Sequence, residues 1–253
     1  CGGSGCELNN SEIVKEEQAA HDEWLRWRKE FLAEQELPTE YSELSSRQQT
    51  AVKRIYEMLM YLEDKYGITF QYTGYVEPQI LEIEHLTAIP EGGNEKTDTV
   101  TVTCEDDGTF TDDYPNVVVR PYYEQMITDY VKDYFGSDKV RVFSTVTETT
   151  IDDFNNISEE KMKGNIYSKN IIFININLGT KESIKKFAEN YCLWLKENDI
   201  SCDSQIMLLY NPNISLINRE NYSDYFGKEH IELRLICYVE KNGEIQISER
   251  EVR

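Results

Sequence analysis

The chain has 253 residues, of which 40% are apolar and 11% aromatic, so it can form a hydrophobic core and is not a disordered chain. Its 47 acidic and 26 basic residues give a formal net charge of −21, which argues against nucleic-acid binding and against adsorption to anionic lipid. Such a surface would steer a basic partner towards it, although the acidity could also serve solubility alone. No apolar run reaches the roughly 18 residues that predict a membrane-spanning helix.

The N-terminal tip is Cys1-Gly2-Gly3-Ser4-Gly5-Cys6. It resembles the mature end of a bacterial lipoprotein, in which the first cysteine carries a diacylglycerol. The resemblance implies a lipid on Cys1, a flexible tether over residues 1–10 and a location on the outer face of the cytoplasmic membrane. The alternative interpretation is a fragment that happens to begin at a cysteine.

A helix is predicted over residues 11–36, followed by a connection to residue 44. Trp24, Trp27 and Phe31 recur at helical spacing and share one face. We favour docking of this face on the core of the protein itself; the alternative is a partner-binding face on a projecting helix.

A first α+β unit is predicted over residues 45–150. Its first helix, 46–66, begins with a capping box of Ser45 and Gln48 and ends at Gly67. A second helix begins at Pro121, which suits a first turn, and ends at residue 135. The predicted strands are 68–73, 80–86, 99–104, 109–111 and 139–146, with a tight turn at residues 106–108.

The helix ends and turns of this unit resemble those of uncharacterised lipoproteins of Gram-positive, Firmicutes-type bacteria. The residues that carry the resemblance are Tyr61–Gly67, Asp107-Gly108, Asp113-Tyr114 and Tyr134-Phe135-Gly136, within residues 50–146. The family has no assigned activity, so the resemblance implies no catalytic or binding residues beyond the lipid on Cys1.

A polar linker is predicted over residues 151–167, with a short helix from Ser158, and a second α+β unit over 168–253. The second unit is predicted to contain strand 171–178, helix 180–198, strand 205–210, a long loop at 211–229 and strands 231–239 and 244–252. The predicted fold class is therefore α+β: two units of helix on antiparallel sheet, preceded by an N-terminal helix.

The cysteines and histidines show no metal-ligand spacing, and no catalytic motif occurs, so we predict no metal, no cofactor and no catalytic residue. Cys104 and Cys237 lie in strand-like runs and are interpreted as core residues, whereas a disulfide between Cys192 and Cys202 stays open. The acidic cluster at residues 105–113 lacks the spacing of a calcium loop and is interpreted as a solvated hairpin.

We therefore expect a lipid-anchored, non-catalytic binding or accessory module of the cell envelope, held to the membrane through Cys1. Its ligand would be a protein or an envelope polymer. One alternative is an anchored immunity protein that inhibits a secreted toxin. A second is an envelope hydrolase that uses two carboxylates, which would leave no sequence signature.

Overall fold

A computed structural model describes residues 10–210 and 213–252. Helices and two sheets form an α+β protein that divides into two compact units. Unit 1 comprises the described residues up to Glu91 together with Val102–Thr111, and unit 2 comprises Gly92–Thr101 and the described residues from Asp112 onwards.

The first part of the chain forms two long helices and a four-stranded sheet of order β1-β2-β3-β4. The elements are α1 (Asn10–Glu34), α2 (Ser46–Tyr66), β1 (Phe70–Val76), β2 (His85–Pro90), β3 (Val100–Cys104) and β4 (Phe110–Asp112). Both predicted ends of α2 are confirmed: Ser45 and Gln48 form the capping box, and Gly67 ends the helix in the left-handed conformation at φ 68°.

The predicted strand over residues 80–86 is wrong at its start. Residues up to Ile83 belong to the turn between β1 and β2, and β2 begins at His85. Ile80, Leu81 and Ile83 are exposed in this turn rather than packed in the sheet. The apolar composition of this run is typical of a strand. Within β2, however, the first core position is Leu86.

Unit 2 packs helices on one face of a five-stranded sheet of order β5-β6-β7-β8-β9. The elements are α3 (Tyr114–Phe135), β5 (Val140–Thr149), α4 (Glu159–Met162), β6 (Ile166–Asn175), α5 (Lys181–Glu197), β7 (Ser201–Leu209), β8 (Ile231–Val239) and β9 (Ile245–Arg250). The pair β6 and β7 is parallel and is connected through α5, while the other pairs are antiparallel.

The structure places the division between the units elsewhere than the predicted linker over residues 151–167. Strand β5 pairs with β6 from Val140 opposite Ile174 to Thr149 opposite Ile166, so both strands belong to one sheet. The polar stretch is therefore a connection inside unit 2, and α3 and β5, which were predicted in the first unit, belong to unit 2 as well. Buried and more exposed residues alternate along β5 from Val140 and along β6 from Ile166 to Ile172, and the rest of β6 is buried.

Helix α3 begins earlier than predicted. It starts at Tyr114, with Pro115 in the first turn, and Pro121 lies inside the helix. An internal proline removes one backbone hydrogen bond, and burial of Val119, Tyr123 and Ile127 on one face offsets that loss.

Both faces of the unit 2 sheet are covered. The predicted apolar face of α5 is confirmed, since all five residues are fully buried: Ile184, Phe187, Ala188, Tyr191 and Leu195. The opposite face carries a smaller cluster, in which Ile214 and Ile217 from the loop before β8 pack against Phe173 and Met207. That loop is therefore a packed layer despite its polar composition.

Candidate functional site

A row of aromatic rings lies along α1, α2 and β1 of unit 1. We call it the aromatic surface and define it by five half-buried rings, Trp24, Trp27, Tyr41, Tyr56 and Tyr72, and by one buried ring, Phe31, which contacts Trp27 and Tyr72. Tyr41 lies in the connection between α1 and α2. The helical spacing of the two tryptophans and Phe31 places all three on the same face of α1. The face docks on α2 and β1, as favoured from the sequence, yet most of its rings remain partly open to solvent.

The rings form a continuous set of contacts. Trp27 stacks on Phe31 with centroids 4.7 Å apart, and Tyr56 lies 5.0 Å from both Trp24 and Trp27. Phe31 meets Tyr72 edge to face at 5.1 Å. These separations fall in the range preferred by aromatic pairs, so the neighbouring rings stabilise one another.

The aromatic surface already holds one cation. The guanidinium carbon of Arg28 lies 4.4 Å from the Tyr41 centroid and 5.4 Å from the Trp24 ring. Tyr41 is fixed in turn, because its hydroxyl donates to the Gln49 carbonyl oxygen at 2.9 Å. The geometry shows that a guanidinium fits on these ring faces in a cation–π contact.

Two clefts open beside these rings. One, of about 440 Å³, has Trp27, Tyr72, Glu30 and Glu34 in its lining. The other, of about 450 Å³, is lined by Trp24, Tyr41, Lys53, Tyr56 and Glu57. Both clefts therefore combine ring faces with carboxylates, a combination that complements arginine or lysine side chains.

The hydroxyls of Tyr56 and Tyr72 in the aromatic surface stay neutral at physiological pH. Burial raises the pKa of Tyr56, and the nearby charge of Glu23 raises it further. Burial alone raises the pKa of Tyr72. Neutral rings keep the electron-rich face that attracts a cation, and they add no charge of their own.

A second cluster in unit 1 centres on Glu84, whose side chain is buried. Its carboxylate accepts hydrogen bonds from Arg54 Nη2, from Arg54 Nε at 3.0 Å and from the Tyr75 hydroxyl at 2.5 Å. The hydrogen bonds from Arg54 are the main reason that the pKa of Glu84 lies below its usual range. Arg54 Nη2 also lies 3.5 Å from the Cys104 sulfur, and burial raises the pKa of that thiol. A thiol with a raised pKa and a fully paired carboxylate serve stability rather than nucleophilic catalysis.

Unit 2 contains a buried polar network that the sequence did not reveal. Asn170 on β6 donates to the Tyr123 hydroxyl at 3.1 Å and to Ser204 Oγ at 3.2 Å, and it accepts from Ser144 Oγ at 2.7 Å. The Tyr191 hydroxyl lies 3.0 Å from Ser204 Oγ. All five side chains are buried beneath α3 and α5, so the network fixes the packing of the core and offers no access to a ligand.

The cysteines of unit 2 lie beside this network. Cys192, Cys202 and Cys237 are buried free thiols, so the disulfide left open between Cys192 and Cys202 is absent. Burial raises the pKa of Cys202 to about 12, which keeps the thiol protonated and unreactive. Cys237 is a core residue, as predicted, whereas Cys104 at the end of β3 is only half-buried, so its predicted place in the core is wrong.

A polar cleft of about 270 Å³ lies at one end of the unit 2 sheet and is the place to look for a carboxylate hydrolase. Its lining includes Glu148, Asp199, Tyr167 and Lys241. Lys241 pairs with Glu148 at 3.2 Å, and both side chains are exposed to solvent. Burial raises the pKa of two other carboxyls, Glu63 and Asp113, and neither lines this cleft. Glu148 of this cleft is therefore a solvent-exposed carboxylate paired with a lysine.

The remaining predicted positions do not gather into a site. Cys1 lies outside the described residues. Within residues 10–210 and 213–252, no three carboxylate, thiol or imidazole groups converge as metal ligands. The histidines lie apart, on α1, on β2 and directly before β8: His21, His85 and His230. Over the same two ranges, no helix combines the length and apolar character needed to cross a bilayer.

Comparison with known proteins assigns neither a family nor a function. No family model and no curated protein matches the chain. The crystal structure of a DUF5037 family protein from Ruminococcus gnavus ATCC 29149 is similar at 13% identity and a TM-score of 0.35. The match covers 62% of this chain and 75% of that one. A similarity at this level carries no argument about function.

Proposed function

We propose that the chain is a non-catalytic binding module whose aromatic surface binds a cationic segment of a protein partner. The observation that carries the proposal is Arg28, whose guanidinium rests on Trp24 and Tyr41. An arginine or lysine of the partner would occupy the neighbouring ring faces in the same way.

The charges beside the rings support the same ligand. Glu30 and Glu34 line one cleft, and Glu57 lines the other together with Lys53. With a net charge of −21, the chain also attracts a basic partner over a distance set by the salt concentration. The long-range charge would speed the encounter with the partner, and the ring contacts would orient the bound partner.

The proposal includes a cellular location. A diacylglycerol on Cys1 would hold the module at the outer face of the cytoplasmic membrane, as the resemblance of residues 1–6 to lipoproteins implies. Intact-mass analysis of the chain from the membrane fraction of its native host tests this part separately. A mass increase that maps to Cys1 is expected, and an unmodified Cys1 contradicts the anchor.

Titration of the purified full chain with nona-arginine tests the binding proposal, with tryptophan fluorescence as the readout. We expect the peptide to quench the fluorescence, and we expect Tyr56→Ala to weaken its affinity about tenfold. This is the loss expected when one cation–π contact, exposed or partly desolvated, is removed. Tyr122→Ala is the matched control, since Tyr122 is a 51% exposed ring of unit 2.

A second pair of variants separates a site from general charge attraction. Glu57→Gln and Glu160→Gln remove the same charge, but only Glu57 lines an aromatic cleft. The proposal expects a larger loss of affinity for Glu57→Gln. Equal losses, or equal effects of the two tyrosine variants, would show binding by net charge alone and contradict the proposal.

An immunity protein against a secreted toxin is a special form of the same proposal. It is favoured by the acidic surface, because a basic toxin would supply the cationic segment. Inhibition of a purified basic toxin from the same host, weakened by Tyr56→Ala and retained by Tyr122→Ala, distinguishes this form from an accessory module.

A further inference from the structure

The hairpin between β1 and β2 presents three aliphatic side chains to solvent. Ile80 is fully exposed, Leu81 is 94% exposed and Ile83 is 67% exposed. We call these three residues the apolar tip. Single exposed apolar residues are common in soluble proteins, but three within four positions at the end of one hairpin form a patch.

The apolar tip is held by an ordered backbone. Gln79 and Glu82 exchange two backbone hydrogen bonds, of 2.9 and 3.3 Å, on either side of Ile80 and Leu81. At the base of the turn, Glu77 pairs with Arg47 at 2.7 Å, and the Ile83 carbonyl oxygen lies 2.9 Å from His85 Nδ1. The aliphatic side chains are therefore presented in one arrangement, so little backbone entropy remains to be lost on docking.

The charges around the apolar tip restrict what can cover it. The sequence contains no lysine or arginine between Lys65 and Lys96, and Glu82 lies within the tip, whereas Glu77 at its base is already paired with Arg47. Anionic lipid would repel the Glu82 carboxylate. A second copy of the chain would bring the same negative charges together.

We infer that the apolar tip docks into an apolar pocket of a partner protein, with lysine or arginine side chains around the rim of that pocket. Ile80 and Leu81 would fill the pocket as adjacent anchors, and Glu82 would pair with the basic rim. This interaction is separate from the aromatic surface and stands whether or not that surface binds a cationic segment.

Site-specific photo-crosslinking in native host cells tests the inference, with p-benzoylphenylalanine in place of Leu81. The matched control carries the crosslinker in place of Val14, which is 63% exposed on α1. We expect a protein adduct at position 81 that position 14 does not give. The adduct is identified by mass spectrometry, and the identified protein is then purified.

Titration calorimetry with the purified partner completes the test. Leu81→Ser should weaken binding about 30-fold, because burial of one leucine contributes about 2 kcal/mol. Val14→Ser should leave the affinity unchanged, and Glu82→Lys should weaken it most at low salt. Both serine variants replace exposed side chains, and circular dichroism checks that each is folded.

Three results would overturn the inference. The first is the absence of a protein adduct specific to position 81, or an affinity that Leu81→Ser leaves unchanged. The second is co-sedimentation with phosphatidylcholine vesicles that Leu81→Ser abolishes, which would assign the tip to lipid. The third is concentration-dependent dimerisation in analytical ultracentrifugation that the same variant abolishes, which would assign it to a second copy. Tyr56→Ala should leave the affinity at the tip unchanged, so failure of either proposal is recognised independently.

Discussion

Glu84 illustrates how a single buried carboxylate can hold two elements together, because Arg54 lies on α2 and Tyr75 on β1. Removal of its charge leaves the tyrosine hydroxyl without a charged acceptor and leaves Arg54 with Glu57 as its remaining carboxylate partner, at 2.9 Å. Loss of one partner of a buried ion pair typically costs about 3–5 kcal/mol. We therefore expect Glu84→Gln to lower the free energy of unfolding by roughly 3 kcal/mol, measured by urea denaturation at pH 7.

The pH dependence of that loss has a defined direction. Since the folded-state pKa of Glu84 is lowered, its stabilisation is present above the unfolded value of about 4.3 and is lost as the pH falls through the folded value. The difference between wild type and Glu84→Gln should therefore shrink below about pH 4.3. Arg47→Ala is the control, because the Arg47–Glu77 pair is largely exposed on its arginine side and should contribute less than about 1 kcal/mol. A loss equal to that control would contradict the structural role assigned to Glu84.

Asn170 provides the corresponding test in unit 2, because its amide lies within the buried polar network. Asn170→Asp keeps the shape but replaces the amide by a carboxyl that burial disfavours in its charged form. Folding then requires a protonated carboxyl, so the variant should lose about 1.4 kcal/mol per pH unit above about pH 4 until it unfolds. The measurement is denaturant unfolding from pH 4 to 7, with the exposed Asn156→Asp as the control. Parallel pH profiles for the two variants would contradict burial of the network.

Strand β5 is an edge strand of its sheet. A glutamate of α3 binds its free edge, and the loop before β8 binds the same glutamate. Glu124 accepts a hydrogen bond from the Ser144 backbone amide at 2.8 Å and also binds Arg219 of the loop. We expect Glu124→Ala to increase hydrogen exchange at the Ser144 amide and in the segment around Arg219, because both lose the same acceptor. Exchange at β7, a central strand, is the internal control and should not change. An increase confined to the loop would show that Glu124 does not protect the edge.

Elements with strong local signals could be predicted from the sequence, whereas those defined by distant pairing could not. The capping box at Ser45 and the stop at Gly67 gave α2 its observed bounds, because both signals act within one helical turn. By contrast, no local feature shows that β5 pairs with β6 across the polar stretch between them. The same limit applies to Ile80 and Leu81: their composition favours a strand, and only the register of the hairpin leaves them in solvent.

At the scale of the whole molecule, the net charge of −21 opposes compactness through mutual repulsion of carboxylates. Added salt screens this repulsion, since the Debye length falls to about 10 Å at 0.1 M. We expect the midpoint of thermal unfolding to rise by at least about 2 °C between 10 and 200 mM sodium chloride. Differential scanning calorimetry measures it, with choline chloride at equal ionic strength as the control for specific sodium binding. A midpoint that falls with both salts would mean that attractive ion pairs outweigh the repulsion.

The candidate site was partly visible in the sequence. The spacing of Trp24, Trp27 and Phe31 identified one face of α1 and favoured its docking on the core, with partner binding as the alternative. The structure shows that it docks while keeping most rings half-exposed, a distinction that depends on Tyr56 and Tyr72 from other elements. The buried network around Asn170 had no sequence signal, because isolated serine and asparagine residues in strands more often face solvent.

Unit 1 is assembled from two separate stretches of chain, interrupted by Gly92–Thr101, which belongs to unit 2. No single cut in the gene or by a protease can therefore release unit 1 whole. A product that ends at Glu91 contains β1 and β2 but lacks the hairpin that completes the four-stranded sheet. During synthesis from the N-terminus, the aromatic surface and the apolar tip both emerge before the sheet behind them is complete. Premature termination or early proteolysis would thus leave both surfaces on an unfinished scaffold.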